Sequence, residues 1–252
     1  MHRRHLLKAA TALIGPAGLT GLTNLNAATG PAPLTAQALA QQVAGQLQTI
    51  QADLAHLPQP MRIMPRVGVR FEPFIIGIEL RSRADTEVVL PLWEQLSPDY
   101  QAIFKRWTRM ANAPMDERAF FTDTFQWALV AHEVGHLLSA DHRPKGHRWP
   151  APEEERLCNR FMVAWCRLRS ADHARLDAIG AVWASLHERL PNPLPAGADP
   201  HTWLVQNYDK ATEQPDVYGW FQYGWMAQAW KDRERLSLAD TVAQLTNPPK
   251  AS

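Results

Sequence analysis

Cysteine is scarce: the 252-residue chain has two, Cys158 and Cys166. They stand eight positions apart in one helical pattern, about 12 Å along a helix axis. A disulfide needs Cα atoms within roughly 7 Å. A disulfide scaffold and a cysteine-based structural zinc site are therefore excluded, and both thiols are expected to be buried. An excess of charge is also lacking. The formal net charge is +1, and no basic cluster supplies the concentrated positive patch that a nucleic-acid backbone demands. No nucleic-acid partner is expected. Repeats and low-complexity blocks are absent, as is an uninterrupted apolar run long enough for a permanent membrane span. What remains is 46% hydrophobic and 20% charged. This is a globular composition, at a length that suits one domain with a substantial core. The ten tryptophans read as helical-core or groove residues rather than as a carbohydrate platform.

The first 28 residues, MHRRHLLKAATALIGPAGLTGLTNLNAA, combine a basic start, a short apolar middle broken by Gly and Pro, and small residues at the end. That order reads as an export signal cleaved near Ala27 or Ala28. Arg3-Arg4-His5-Leu6-Leu7-Lys8 resembles the twin-arginine signal, without the usual Ser or Thr before the arginines; an ordinary secretory signal is the alternative. Residues 29–252 are expected to form one domain released beyond the inner membrane, periplasmic or secreted.

Within that domain, TAQALAQQVAGQLQTIQADLAHL has apolar positions at helical spacing and is closed by a Pro-Gln-Pro break. VGVRFEPFIIGIEL has strand character on both sides of a Glu-Pro break, which places two short strands there. Ser97 followed by Pro98 opens a helix, because the first helical position needs no amide donor. A central helix is expected from Asp116 through ERAFFTDTFQWALVAHEVGHLL. Another contains EEERLCNRFMVAWCRLR, acidic at its front and basic at its rear, which suits the helix dipole. DHARLDAIGAVWASLHERL gives one more, and the tail carries the aromatic segment DVYGWFQYGWMAQAWKD and a short helix. The fold class is therefore α+β: mainly helical, with a small sheet.

The central helix contains His132-Glu133-Val134-Gly135-His136. Residues four apart share a helix face, so His132 and His136 can present two imidazoles to one metal ion, with Glu133 beside them to activate water. A buried helix is the setting this motif requires, and the apolar residues upstream provide it.

Two readings compete for the third ligand. His132 to His142 resembles the extended motif of the metzincins, with Ser139 in place of the turn-making glycine and only Met226 as a candidate for the later Met-turn. Alternatively, Glu155-Arg156-Leu157-Cys158-Asn159 resembles the second motif of the gluzincins, the thermolysin-like zincin metallopeptidases. There a glutamate ligand precedes an Asp or Asn by four positions. The likeness spans residues 117–169. It implies a zincin-like domain with two crossing metal-binding helices and one Zn²⁺ per chain. By this likeness His132, His136 and Glu155 would be the ligands, with His142 in reserve, and Asn159 would orient a ligating imidazole. Glu153 and Glu154 read as solvated acids of the first helical turn, one of which would be the ligand in place of Glu155 if the helix register differs.

Such a site hydrolyses peptides, with Glu133 taking the proton from water and passing it to the leaving amine. The developing oxyanion needs a donor, for which Tyr208, Tyr218, Tyr223 and His201 are candidates. The strand at Phe74–Leu80 could pair with an extended peptide or protein substrate. Two alternatives stay open: a zincin-fold binding or regulatory protein without turnover, and an exported zinc hydrolase acting on cell-wall material.

Overall fold

The computed structural model describes residues 34–71, 76–82 and 84–249. The export signal expected in residues 1–28 and the expected strand start at Phe74 lie outside them.

The first helix, α1 (Ala36–Leu54), starts where the Thr35 side chain accepts the Ala38 amide, and buries Leu39, Val43, Leu47, Ile50 and Leu54 along one stripe. Three strands follow: β1 (Arg66–Val69), β2 (Gly77–Ser82) and β3 (Asp85–Leu90). Their order in the sheet is β1-β3-β2, with β3 parallel to β1 and antiparallel to β2. The sheet thus has one strand more than the sequence pattern implies, and β2 stands at an edge. Helix α2 (Pro98–Ala111) begins as expected, with Ser97 as cap and Pro98 in the first turn.

The expected central helix is built in three parts: α3 (Glu117–Asp123), a π-helical turn (Thr124–Ala128) and α4 (Leu129–His142). A π turn within a helix commonly accompanies a functional site, and here it directly precedes the histidine motif. Every residue of α4 from Leu129 to Ser139 is buried, so the helix has no solvent face over that stretch. Its ionisable residues must find partners inside the protein.

The remaining helices supply those partners. They are α5 (Ala151–Cys166), α6 (Ser170–Arg189), α7 (Pro200–Thr212), α8 (Pro215–Lys231) and α9 (Leu238–Thr246). The continuous α3–π–α4 rod and α5 pack tightly and carry the candidate metal ligands, so two crossing helices form the centre of a mainly helical fold. β2 lies along α4, α7 and α8 lie against α5, and α6 packs on α8. Close approach of α6 and α8 depends on Gly180, where an added Cβ would stand 2.4 Å from the Trp230 ring. Among the described residues, no helix is long and apolar enough to cross a membrane.

Candidate metal centre

His132 and His136 point the same way from α4, with their Nε2 atoms 3.1 Å apart. His132 Nδ1 is 2.9 Å from Asn159 Oδ1 on α5. Since that oxygen can only accept, it holds a proton on Nδ1, which leaves Nε2 as the atom to offer a metal. On the other histidine, Nδ1 faces Cys158 Sγ at 3.5 Å and Glu154 Oε1 at 3.6 Å. The Glu155 carboxylate comes between the two inward nitrogens, with Oε2 3.1 Å from His132 Nε2 and Oε1 3.5 Å from His136 Nε2.

His132, His136 and Cys158 can each offer one ligand atom within 4.8 Å of the others, forming a compact, buried cluster. With Glu133 between the histidines, the cluster is consistent with a zincin-type HExxH site. Its donors fit zinc. Tetrahedral ligands held at 2.0–2.1 Å lie roughly 3.3 Å apart, close to the spacing of the two Nε2 atoms. Two third donors are in reach, the Cys158 thiol and the Glu155 carboxylate. They differ in which face of His136 they meet: the thiol meets Nδ1, the carboxylate Nε2.

Burial and charge oppose one another here. Glu133 is 1% exposed, and burial raises its pKa although His136 and His132 pull it back; the Ile78 amide of β2 donates to its carboxylate. Burial works against charge on His136, but Cys158, Glu155 and Glu154 outweigh it and hold the pKa well above the ordinary value. For Glu155, burial favours the neutral acid, but His136 and His132 prevail and hold it well below the ordinary range. Burial pushes the Cys158 thiol up to about 12, against a lowering by His136.

A second layer closes around Glu155. Tyr208 on α7 donates to Oε1 at 3.1 Å, and Gln222 on α8 donates to Oε2 at 2.9 Å. Gln222 Nε2 also reaches the Tyr218 hydroxyl at 2.7 Å, which lies 3.3 Å from that of Tyr208. Asn159 Nδ2 donates to Gln222 Oε1 at 3.0 Å.

Of the expected oxyanion donors, Tyr208 alone touches the Glu155 carboxylate through its own hydroxyl; Tyr218 stands one bond further back. Tyr223 is packed edge-on against Trp107, with ring centroids 5.3 Å apart, and His201 is exposed at the start of α7. The structure brings neither to the cluster. His142 is not brought there either. Helix α4 runs straight through Ser139 to His142, whose Nε2 is 2.8 Å from the Pro60 carbonyl. Glu153 pairs with Arg156 as a surface acid should, but Glu154 is fully buried rather than solvated. Gln222 and Cys158 were not foreseen as site residues, and Glu154 was foreseen only as a substitute ligand should the register of α5 differ. Helical spacing held a partial signal: Glu154 stands one turn before Cys158 and Glu155 one turn before Asn159, so each pair shares a face.

No family model, no curated protein and no solved structure matches the chain.

Proposed function

We propose that this protein is a zinc-dependent peptidase of the gluzincin kind, with His132, His136 and Glu155 as ligands and Glu133 as general base. One observation carries the choice of Glu155 over Cys158. The Glu155 carboxylate lies 3.1 Å and 3.5 Å from the two inward Nε2 atoms, whereas Cys158 faces the outward Nδ1 of His136.

Zinc, when bound, supplies a Lewis acid that acidifies water and polarises a carbonyl. The chain's own residues do the rest. Glu133 takes a proton from water as its oxygen attacks the peptide carbon, and its raised pKa suits it to hold that proton. As the C–N bond breaks, Glu133 returns the proton to the departing amine. Burial and the nearby Glu155 hold the Tyr208 hydroxyl well above its ordinary pKa, so it stays protonated and can donate to the oxyanion. Glu133 and both histidines are buried, so a peptide reaches them only after an element covering them moves.

The test is Glu133→Gln, assayed with peptide libraries and denatured proteins. Zinc content should match wild type while hydrolysis falls about 10²–10⁴-fold, the usual contribution of a positioned base. Undiminished turnover by the variant overturns the mechanism. Export of the chain through residues 1–28 is likewise proposed. Terminal sequencing of the secreted protein should find Ala28 or Thr29 first; an intact, retained amino terminus contradicts it.

A further inference from the structure

Gln222 lies on α8, outside both metal-binding helices, and is 2% exposed. A side-chain amide has two N–H donors and one carbonyl acceptor, and here all are used. Nε2 donates to Glu155 Oε2 and to the Tyr218 hydroxyl, and Oε1 accepts from Asn159 Nδ2. Only one orientation works. Turned over, Gln222 would set its carbonyl oxygen 2.9 Å from the Glu155 carboxylate and face an N–H with an N–H at Asn159.

The consequence runs on to the metal helix. With Gln222 fixed, Asn159 must present Nδ2 to it and therefore Oδ1 to His132 Nδ1, 2.9 Å away. That oxygen holds the proton on Nδ1 and frees Nε2 as a ligand. The Glu155 carboxylate on α5 thus fixes which atom of Asn159 faces His132 on α4, through an amide on α8.

We infer that Gln222 is a positioning residue of the metal centre, orienting Asn159 and the Glu155 carboxylate together so that α8 must be docked for the site to bind metal tightly. The inference rests on Glu155 being a ligand.

Zinc affinity, measured by chelator competition at one pH, tests it in Gln222→Met, Gln222→Leu, Asn159→Asp, the Gln222→Met/Asn159→Asp pair and Glu155→Ala. Methionine keeps the volume and helix preference of glutamine but forms none of its hydrogen bonds. It should lower zinc affinity about tenfold or more, while circular dichroism of the metal-free protein is unchanged. Leucine guards against a folding defect peculiar to methionine. An aspartate at 159 has no N–H end to turn toward His132. Asn159→Asp should therefore gain about tenfold more affinity in the Gln222→Met background than in wild type. A mere packing role for Gln222 gives Asn159→Asp the same effect in both backgrounds, and that result overturns the inference. So does wild-type affinity in both Gln222 variants. Undiminished affinity in Glu155→Ala overturns the ligand reading instead, so the two failures are told apart.

Discussion

Glu154 and Glu155 are neighbours in sequence that face opposite nitrogens of one imidazole: Glu154 Oε1 lies 3.6 Å from His136 Nδ1, and Glu155 Oε1 lies 3.5 Å from His136 Nε2. A carboxylate behind a ligating histidine fixes its ring and strengthens it as a donor. Glu154→Ala should accordingly weaken zinc binding about 10–100-fold, whereas Glu153→Ala, which removes a surface partner of Arg156, should leave it unchanged. Chelator competition on the two variants checks this; equal affinities would remove Glu154 from the site.

Zinc binding should be steeply pH-dependent. His136 holds its proton well above the ordinary value of 6.5, so zinc must displace that proton at neutral pH. Glu155, held well below its ordinary 4.5, is already ionised there and adds no competition. The sign follows: affinity falls as pH falls, by about tenfold per unit for each displaced proton. Titrations at pH 6, 7 and 8 that gave one constant would contradict it.

Gly135 lies where α4 and α5 touch. A Cβ added there would stand 3.0 Å from Cys158 Sγ and 3.3 Å from Cys158 Cα. Alanine gains up to about 1 kcal/mol of helix propensity over glycine, while overpacking a tight contact costs about 1–3 kcal/mol. The contact involves backbone, so the cost should win. Gly135→Ala should melt at a lower temperature and bind zinc more weakly, because separating the helices separates the ligands. A higher melting temperature would show that the contact has slack.

Tyr208→Phe removes only the hydroxyl that donates to Glu155 Oε1. Zinc should stay bound, while peptide hydrolysis should fall by about 10²–10³-fold, the usual cost of one oxyanion donor. Steady-state kinetics with a cleaved peptide decides. Unaltered turnover would assign the hydroxyl to structure alone.

Much of this was legible in the sequence because it is local. The spacing of His132 and His136, the Ser97–Pro98 helix start and the apolar stripe of α1 are set by helix periodicity within a few residues. Glu155 and Asn159 were legible as a pair for the same reason. What escaped depends on chain segments far apart. Strand β3 is six residues long, and its first three, Asp85-Thr86-Glu87, are polar, so little apolar pattern marks it. Helix α7 buries only Leu204, Ala211 and Thr212, too few to leave an apolar period. Gln222 carries no distinguishing signal, since its partners come from other helices, and the spacing of Glu154 before Cys158 gains its meaning only from the way α4 crosses α5. His142 fitted a spacing rule, but α4 continues past the turn that rule needed.

The choice between Glu155 and Cys158 is tested most directly by zinc K-edge X-ray absorption of the zinc-loaded protein, because sulfur and the lighter donors differ in both distance and scattering. Ligation by His132, His136 and Glu155 gives nitrogen and oxygen scatterers alone, at about 2.0–2.2 Å. A zinc–sulfur shell at about 2.3 Å would contradict it and make Cys158 the third ligand.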